Sequence, residues 1–179
     1  MKRISLVMTA VLALAALTVQ SASKPTGNIK VPANLLLELK VDNKPVAVPS
    51  GQEFPFPAGT YAPASITAQA MAAAGKGPAD IWTIKSTGPF GSLAQIEVKE
   101  GCTSAIGAGP PFTLKATVSK AQNTPQGKTV AINLAVLGKA GEKYAPSTLR
   151  KGQTVATPPQ LQIVDEKGTI LATGGFEYG

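Results

Sequence analysis

Leu37, Leu39 and Val41 alternate with Glu38 and Lys40, so this segment has one apolar and one charged face and reads as a half-buried strand. Period-two runs of this kind recur along the chain between glycine and proline clusters, the pattern of a β-sandwich or small barrel. Asp42-Asn43-Lys44-Pro45 supplies a turn and Val46 to Val48 a short returning strand. Between Phe54 and Tyr61, Pro55 and Pro57 stand beside Gly59, which suits an edge strand or a corner and excludes a central strand. Ala64 to Ala74 reads in two ways: Ile66, Ala68 and Ala70 alternate with Thr67 and Gln69, while Ala72-Ala73-Ala74-Gly75 could close a short helix. The alternation favours a strand running into a loop at Gly75 to Pro78. Asp80 to Ser86 puts Trp82 and Ile84 on one face and Thr83 and Lys85 on the other. After a turn at Gly88-Pro89-Phe90-Gly91, Ala94, Ile96 and Val98 alternate with Gln95, Glu97 and Lys99, and Cys102 to Ile106 is expected to return beside that strand.

Gly107-Ala108-Gly109-Pro110-Pro111 then combines residues open to positive φ with prolines that cannot donate to a ladder, which marks a domain boundary. Beyond it, Phe112, Leu114, Ala116 and Val118 form an apolar face that should point inward, followed by a polar loop and by Val130, Ile132, Leu134 and Val136 in the same alternation. Gly138 to Gly152 is a long lysine-bearing connection around Tyr144. Leu161 to Val164 and Thr169 to Ala172 flank a hairpin turn at Asp165-Glu166-Lys167-Gly168, and Phe176 and Tyr178 share one face of a last short strand. No convincing helix appears. The expected fold is therefore all-β, with two small β-sandwich domains in tandem, residues 31–109 and 110–179.

The N-terminus begins with Lys2 and Arg3, continues with an uncharged apolar run from Ile4 to Val19, and ends in Gln20-Ser21-Ala22-Ser23. A basic start, a short apolar stretch and small residues at a cleavage point are the parts of a secretory signal peptide, here residues 1–23. The run is shorter than the roughly 20 residues a membrane-spanning helix needs. Cleavage after Ser21 or after Ser23 fits equally. Cys102 is the only cysteine, so none stands at the cleavage point to carry a lipid. The implied location is the periplasm or the extracellular space, with no membrane span after cleavage.

Seventeen basic residues against ten acidic ones give a net charge of +7, and removal of Lys2 and Arg3 lowers it to +5. The remaining basic residues are lysines scattered singly, with Arg150 the one arginine, whereas nucleic-acid recognition favours arginine. Nucleic acid is thus not an expected partner. The chain has no histidine, which removes Ser/His/Asp and Cys/His catalysis and imidazole metal sites. Gly127-Lys128-Thr129 looks like the tail of a phosphate loop, but Gln122 occupies the place of the first glycine and a strand follows instead of a helix. No cofactor is implied. A pair of carboxylates could still hydrolyse a glycoside. The acids here sit on exposed strand faces (Glu38, Glu97) or in turns (Asp42, Asp165, Glu166), so an enzyme is the third choice. Calcium at Asp165 and Glu166 would lack oxygen donors. Cys102, at the start of a strand, is expected to be a small buried residue.

Val41-Asp42-Asn43-Lys44-Pro45-Val46 and Phe54-Pro55-Phe56-Pro57-Ala58-Gly59-Thr60-Tyr61 resemble the strand, Pro-Ala-Gly-Thr-Tyr corner, strand pattern of prealbumin-like modules, among them carboxypeptidase-regulatory-like domains. The whole chain after residue 23, with Ser86-Thr87-Gly88-Pro89-Phe90-Gly91, the Ile163 to Gly168 hairpin and Phe176-Glu177-Tyr178-Gly179, is similar to a group of exported bacterial β-sandwich proteins without an assigned activity. The resemblance implies immunoglobulin-like or prealbumin-like sandwiches and an exported location, and it carries no catalytic residue.

These readings favour a non-catalytic exported protein that binds or supports another component of the cell envelope, either a protein or a polysaccharide. The alternative is a carbohydrate-binding accessory module using exposed aromatics. Tyr144 and Arg150, in the long connection, are the surface candidates for a ligand. Trp82 could stack on a sugar ring, but its shared face with Ile84 favours core packing.

Overall fold

The computed structural model describes residues 24–73, 77–125 and 127–177. The expected signal peptide, Ala74 to Lys76 of the first loop and Tyr178 of the last strand lie outside them. In chain order the strands are β1 Thr26–Lys30, β2 Leu35–Val41, β3 Lys44–Val48, β4 Glu53–Pro57, β5 Gly59–Met71, β6 Ile81–Ser86, β7 Ile96–Val98 and β8 Thr103–Ala105. They continue as β9 Thr113–Thr124, β10 Gly127–Leu137, β11 Lys143–Tyr144, β12 Arg150–Lys151, β13 Thr154–Val155, β14 Gln160–Val164 and β15 Ile170–Gly175. The chain is all-β, and among the described residues no helix is long and apolar enough to cross a membrane.

The largest sheet has the order β13-β12-β6-β5-β2-β3, with β7 paired to the first residues of β5. The β2–β3 hairpin turns at Asp42 and Asn43, both in the left-handed region (φ 50° and 61°), where these two residue types are tolerated best. Pro45 lies in β3, the edge strand, where its missing N–H costs no ladder bond. Pro55 and Pro57 likewise lie in β4, an edge of the smaller sheet β4-β1-β8. The corner that follows is held by Tyr61, whose hydroxyl donates to the Pro57 carbonyl (2.9 Å) and whose ring meets Phe56 edge to face. The ambiguous stretch after Ala64 is a strand as far as Met71.

Leu35, Leu37 and Leu39 of β2, Ile66 and Ala68 of β5 and Ile84 of β6 form one apolar layer. Ile29, Phe56, Ile96, Val98 and Ile106 form the other, and the two layers close into a single core. This arrangement is compatible with a β-sandwich.

Several expectations change. Strand β8 pairs in parallel with β1 and not with β7. Cys102 is exposed, because it belongs to the turn before β8, where its N–H donates to the Lys99 carbonyl. The division at residue 109 is not followed by the strands either: β12 pairs with β6 of the first half, and Val136 and Tyr144 belong to the same core as Leu35 and Ile66. Gly109 is not a linker residue. It is buried at φ +84°, and a Cβ there would stand 2.7 Å from Leu35 Cδ2, so neither the backbone nor the packing admits a side chain. The apolar face of β9 is not buried: Leu114 is 68% and Val118 64% exposed, since among the described residues no layer covers that strand.

What ties the second half to the first is a buried carboxylate. Glu142 is fully buried, and it accepts hydrogen bonds from Gly109 N (2.6 Å), Ala140 N (2.9 Å) and the Tyr144 hydroxyl (3.1 Å). The loop around it is anchored from outside by Ser92 N on the Ala140 carbonyl and Lys143 N on the Pro89 carbonyl. Gly138 is required here, because a Cβ on it would collide with the Glu142 carboxylate. Burial of the phenol, then the negative charge of Glu142, then their hydrogen bond push the Tyr144 hydroxyl well above the ordinary tyrosine pKa.

Two measurements follow. Glu142→Ala leaves two buried donors and one half-buried donor without their acceptor, and at about 1 kcal/mol or more for each buried one the loss should reach at least about 2 kcal/mol. In a thermal scan that is a fall of roughly 4–8 °C in Tm. Tyr144, with its native pKa raised above the unfolded one, contributes stability that is complete below about pH 10 and declines as pH rises through the unfolded pKa toward the folded one. Relative to Tyr144→Phe, the wild-type chain should therefore lose about 1.4 kcal/mol per pH unit above that point in denaturant titrations.

Candidate functional site

Strand β6 is the centre of the site. Ala70 pairs with Trp82 and Ala68 with Ile84 across β5 and β6, so these four side chains share the core-facing side of the sheet. Two of them are alanines, and the space they leave opposite the larger pair is not filled. Ile84 is 7% exposed and belongs to the core, whereas Trp82, one pair further along, is only partly buried. The core ends between them.

The result is a pocket of about 300 Å³ bounded by Ala68, Ala70, Trp82, Ile84, Pro110, Phe112 and Leu149. Gln69 and Thr83 also line it, but no carboxylate, cysteine or lysine does. Phe112 forms its wall from the far side of the Gly109-Pro110-Pro111 seam and packs edge to face on Tyr144, with ring centroids 5.1 Å apart. Leu149 is brought in by the segment before β12. Thr148 Oγ1 accepts from Lys85 N (2.8 Å) and donates to the Ala145 carbonyl (2.7 Å), which latches this segment against β6. A second concavity of about 580 Å³ opens along Trp82 and Leu149, and here the lining is mixed: Lys151, Thr154 and Thr157 with Ala79, Val155 and Ala156. Lys151 is paired to Asp80 at 3.3 Å. A larger cleft of about 720 Å³ lies between β10 and the β14–β15 hairpin, where Val130, Ile132 and Leu134 approach Pro159 and Phe176.

The three candidate residues are not brought together. Tyr144 is fully buried and serves the core, so it is not a surface residue of the long connection. Arg150 is exposed and pairs with Thr83, which places it on the opposite face of the sheet from Trp82, and its guanidinium donates to the Gln153 carbonyl (3.3 Å). Trp82 does share a face with Ile84, as the alternation predicts, but it stands at the end of the core and lines both concavities. Phe112, Leu149 and the two alanines are the site residues that the sequence pattern does not single out. The small size of Ala68 and Ala70 opposite a tryptophan is the one local signal of a hollow.

No described carboxylate lines the Trp82 pocket. Glu38 accepts from Ser65 Oγ (2.6 Å), and Glu53 and Glu97 lie near Lys30 and Lys99 on the surface. Asp165 holds its own hairpin turn by accepting from Thr169 N (2.8 Å) and Lys167 N (2.9 Å), and its carboxyl is held below the usual range, with the Thr169 bond the largest cause.

Trp82 is the single tryptophan, which makes the geometry measurable. Its fluorescence should be quenched by acrylamide to a degree between those of free and buried indole. Ala70→Leu, which fills the hollow from the facing position, should shift the emission to the blue and reduce that quenching.

Compared with known proteins, the chain matches no protein-family model, no curated protein and no solved structure.

Proposed function

We propose that the chain is an exported, non-catalytic β-sandwich protein of the cell envelope that acts by binding, and that the Trp82 pocket receives an apolar group of its partner. The observation that carries this reading is the pocket itself: a half-open, nearly wholly apolar hollow with one partly buried aromatic wall and no acid or nucleophile in its lining. Such a lining can hold an aliphatic or aromatic side chain of a partner protein by burial alone. It offers nothing to polarise a bond or transfer a proton. Export is supported by the order of Lys2-Arg3, the apolar run and the small residues up to Ser23. A prealbumin-like type for the sandwich is supported by the Pro57 to Tyr61 corner, where the tyrosine hydroxyl returns to the proline carbonyl.

Carbohydrate binding is the second reading, and the mixed concavity favours it. Trp82 stands there beside Lys151, Thr154 and Thr157, an aromatic face flanked by groups able to hydrogen-bond a sugar.

Titration with anilinonaphthalene sulfonate, an apolar dye, separates the two. On the first reading Trp82 emission is quenched saturably with energy transfer to the dye, Ala70→Leu weakens binding by roughly tenfold, and soluble envelope glycans leave the signal unchanged. Quenching by the glycans, retained in Ala70→Leu and lost in Thr154→Ala, would establish the second reading instead.

A further inference from the structure

The register of the large sheet sets Thr154 of β13 opposite Lys151 of β12, Lys151 opposite Trp82 of β6, and Trp82 opposite Ala70 of β5. Residues directly opposite one another in a ladder share a face, so these four side chains form one row on the core-facing side of the sheet. At about 4.8 Å per strand the row spans roughly 14 Å. Its chemistry changes in order along that length, from a methyl group through an indole to an ammonium and a hydroxyl. Trp82 stands at the change. The apolar pocket lies on its Ala70 side and the mixed concavity on its Lys151 side, and Leu149 lines both as well.

Both ends of the row are held in place by the backbone around them. Gly152, in the turn between β12 and β13, has φ +57° and donates its N–H to the Ile81 carbonyl (2.9 Å). A Cβ on Gly152 would stand 2.9 Å from the Ala79 carbonyl oxygen, so this turn lies flush on the segment before β6. Ala156 N donates to the Leu149 carbonyl (2.9 Å), and at the other end Phe112 is fixed by its packing on Tyr144. A site built in advance loses little when its ligand orders it. Charge then selects the ligand's polar end. Lys151 Nζ lies 3.3 Å from Asp80 Oδ1, so an anion brought to Lys151 also meets a carboxylate, and a cation brought to Asp80 also meets an ammonium. A hydroxyl meets no such conflict, since it donates to the one and accepts from the other. Thr154 and Thr157 add two further hydroxyls to the lining. At the apolar end, a cavity of roughly 150 Å³ holds one benzene, so the pocket of about 300 Å³ has room for an alkyl chain of roughly eight to ten carbons.

We propose that the two concavities are halves of one site for a small neutral amphiphile, with its alkyl tail between Ala70 and Phe112 and its hydroxylated head at Lys151, Thr154 and Thr157. The proposal rests on the reading that the Trp82 pocket takes an apolar group, and it adds the second half of the site and the uncharged character of the head. Trp82 packs against the junction of head and tail, where an amphipathic ring suits both.

The test uses the full exported chain and alkyl glucosides below their micelle concentrations, scored by displacement of anilinonaphthalene sulfonate and by the blue shift of Trp82 emission. Lengthening the tail from hexyl to octyl should tighten binding roughly three- to fourfold per methylene, with no further gain from decyl to dodecyl. Octyl glucoside should bind at least roughly tenfold more tightly than octanol, and octyl sulfate and octyltrimethylammonium should bind more weakly than the glucoside. Thr154→Ala, on an exposed edge strand, should weaken octyl glucoside roughly three- to tenfold while leaving octanol binding and the melting temperature unchanged. Octanol binding as tightly as octyl glucoside, a charged analogue binding as tightly, a gain that continues unbroken to dodecyl, or no effect of Thr154→Ala would overturn the amphiphile site and leave the apolar pocket standing. Failure of both the dye and octanol to bind would overturn the pocket reading itself, and this inference with it.

Discussion

A carboxylate with no access to water holds this fold together. Glu142 gathers the N–H of Gly109, the N–H of Ala140 and the Tyr144 hydroxyl around its two oxygens. A buried charge is costly to desolvate, and a well-packed apolar residue in its place often does as well or better for stability. Here that replacement is closed, because two of the donors are backbone groups that stay where they are whatever side chain occupies residue 142, and buried donors need an acceptor. The carboxylate is thus a geometric requirement. It fixes the Gly138 to Tyr144 loop against the Gly109 seam, and the seam against Leu35.

From there the constraint passes to the pocket. Tyr144 is held by Glu142 and packs on Phe112, and Phe112 closes the pocket opposite Trp82. Neither aromatic neighbour could be placed by the β5–β6 pair alone, which supplies the alanines and the tryptophan but leaves the hollow open above them. The site is assembled from both sides of the Gly109-Pro110-Pro111 segment, and it exists because Gly109 of that segment is buried against Leu35.

Much of the first half was legible because its determinants are local. Leu37 and Leu39 alternate with the charged Glu38 and Lys40, Asp42-Asn43 is a turn that needs positive φ, and Pro45, Pro55 and Pro57 mark edges. The failures share a cause, which is that the deciding partner is far away in sequence. Glu142, flanked by Gly141 and Lys143, looks like an exposed loop acid, and its burial depends on donors that include a residue 33 positions earlier. Its one sequence signature is its isolation, as the sole acid between Glu100 and Asp165 in a lysine-bearing stretch. Gly109-Pro110-Pro111 has linker composition because glycine and proline serve equally where a chain must be flexible and where it must pass closely against a core. Trp82 was placed on the correct face, but alternation says nothing about where along that face the core stops.

The same distinction governs β9. Alternation establishes that Leu114, Ala116 and Val118 form an apolar face, and it does so as clearly as for Leu37 and Leu39. What it leaves open is the cover. The first set lies under β1, β4 and β7 and is closed by the chain's own second layer. The second belongs to a three-stranded sheet whose available covering hairpin, β14–β15, reaches only as far as β10. A two-stranded ribbon alone is marginal in water, and this three-stranded sheet is secured through Val136 and Tyr144, which enter the core. The alternation along β9 therefore records which face is apolar, and not whether a layer of the described chain reaches it.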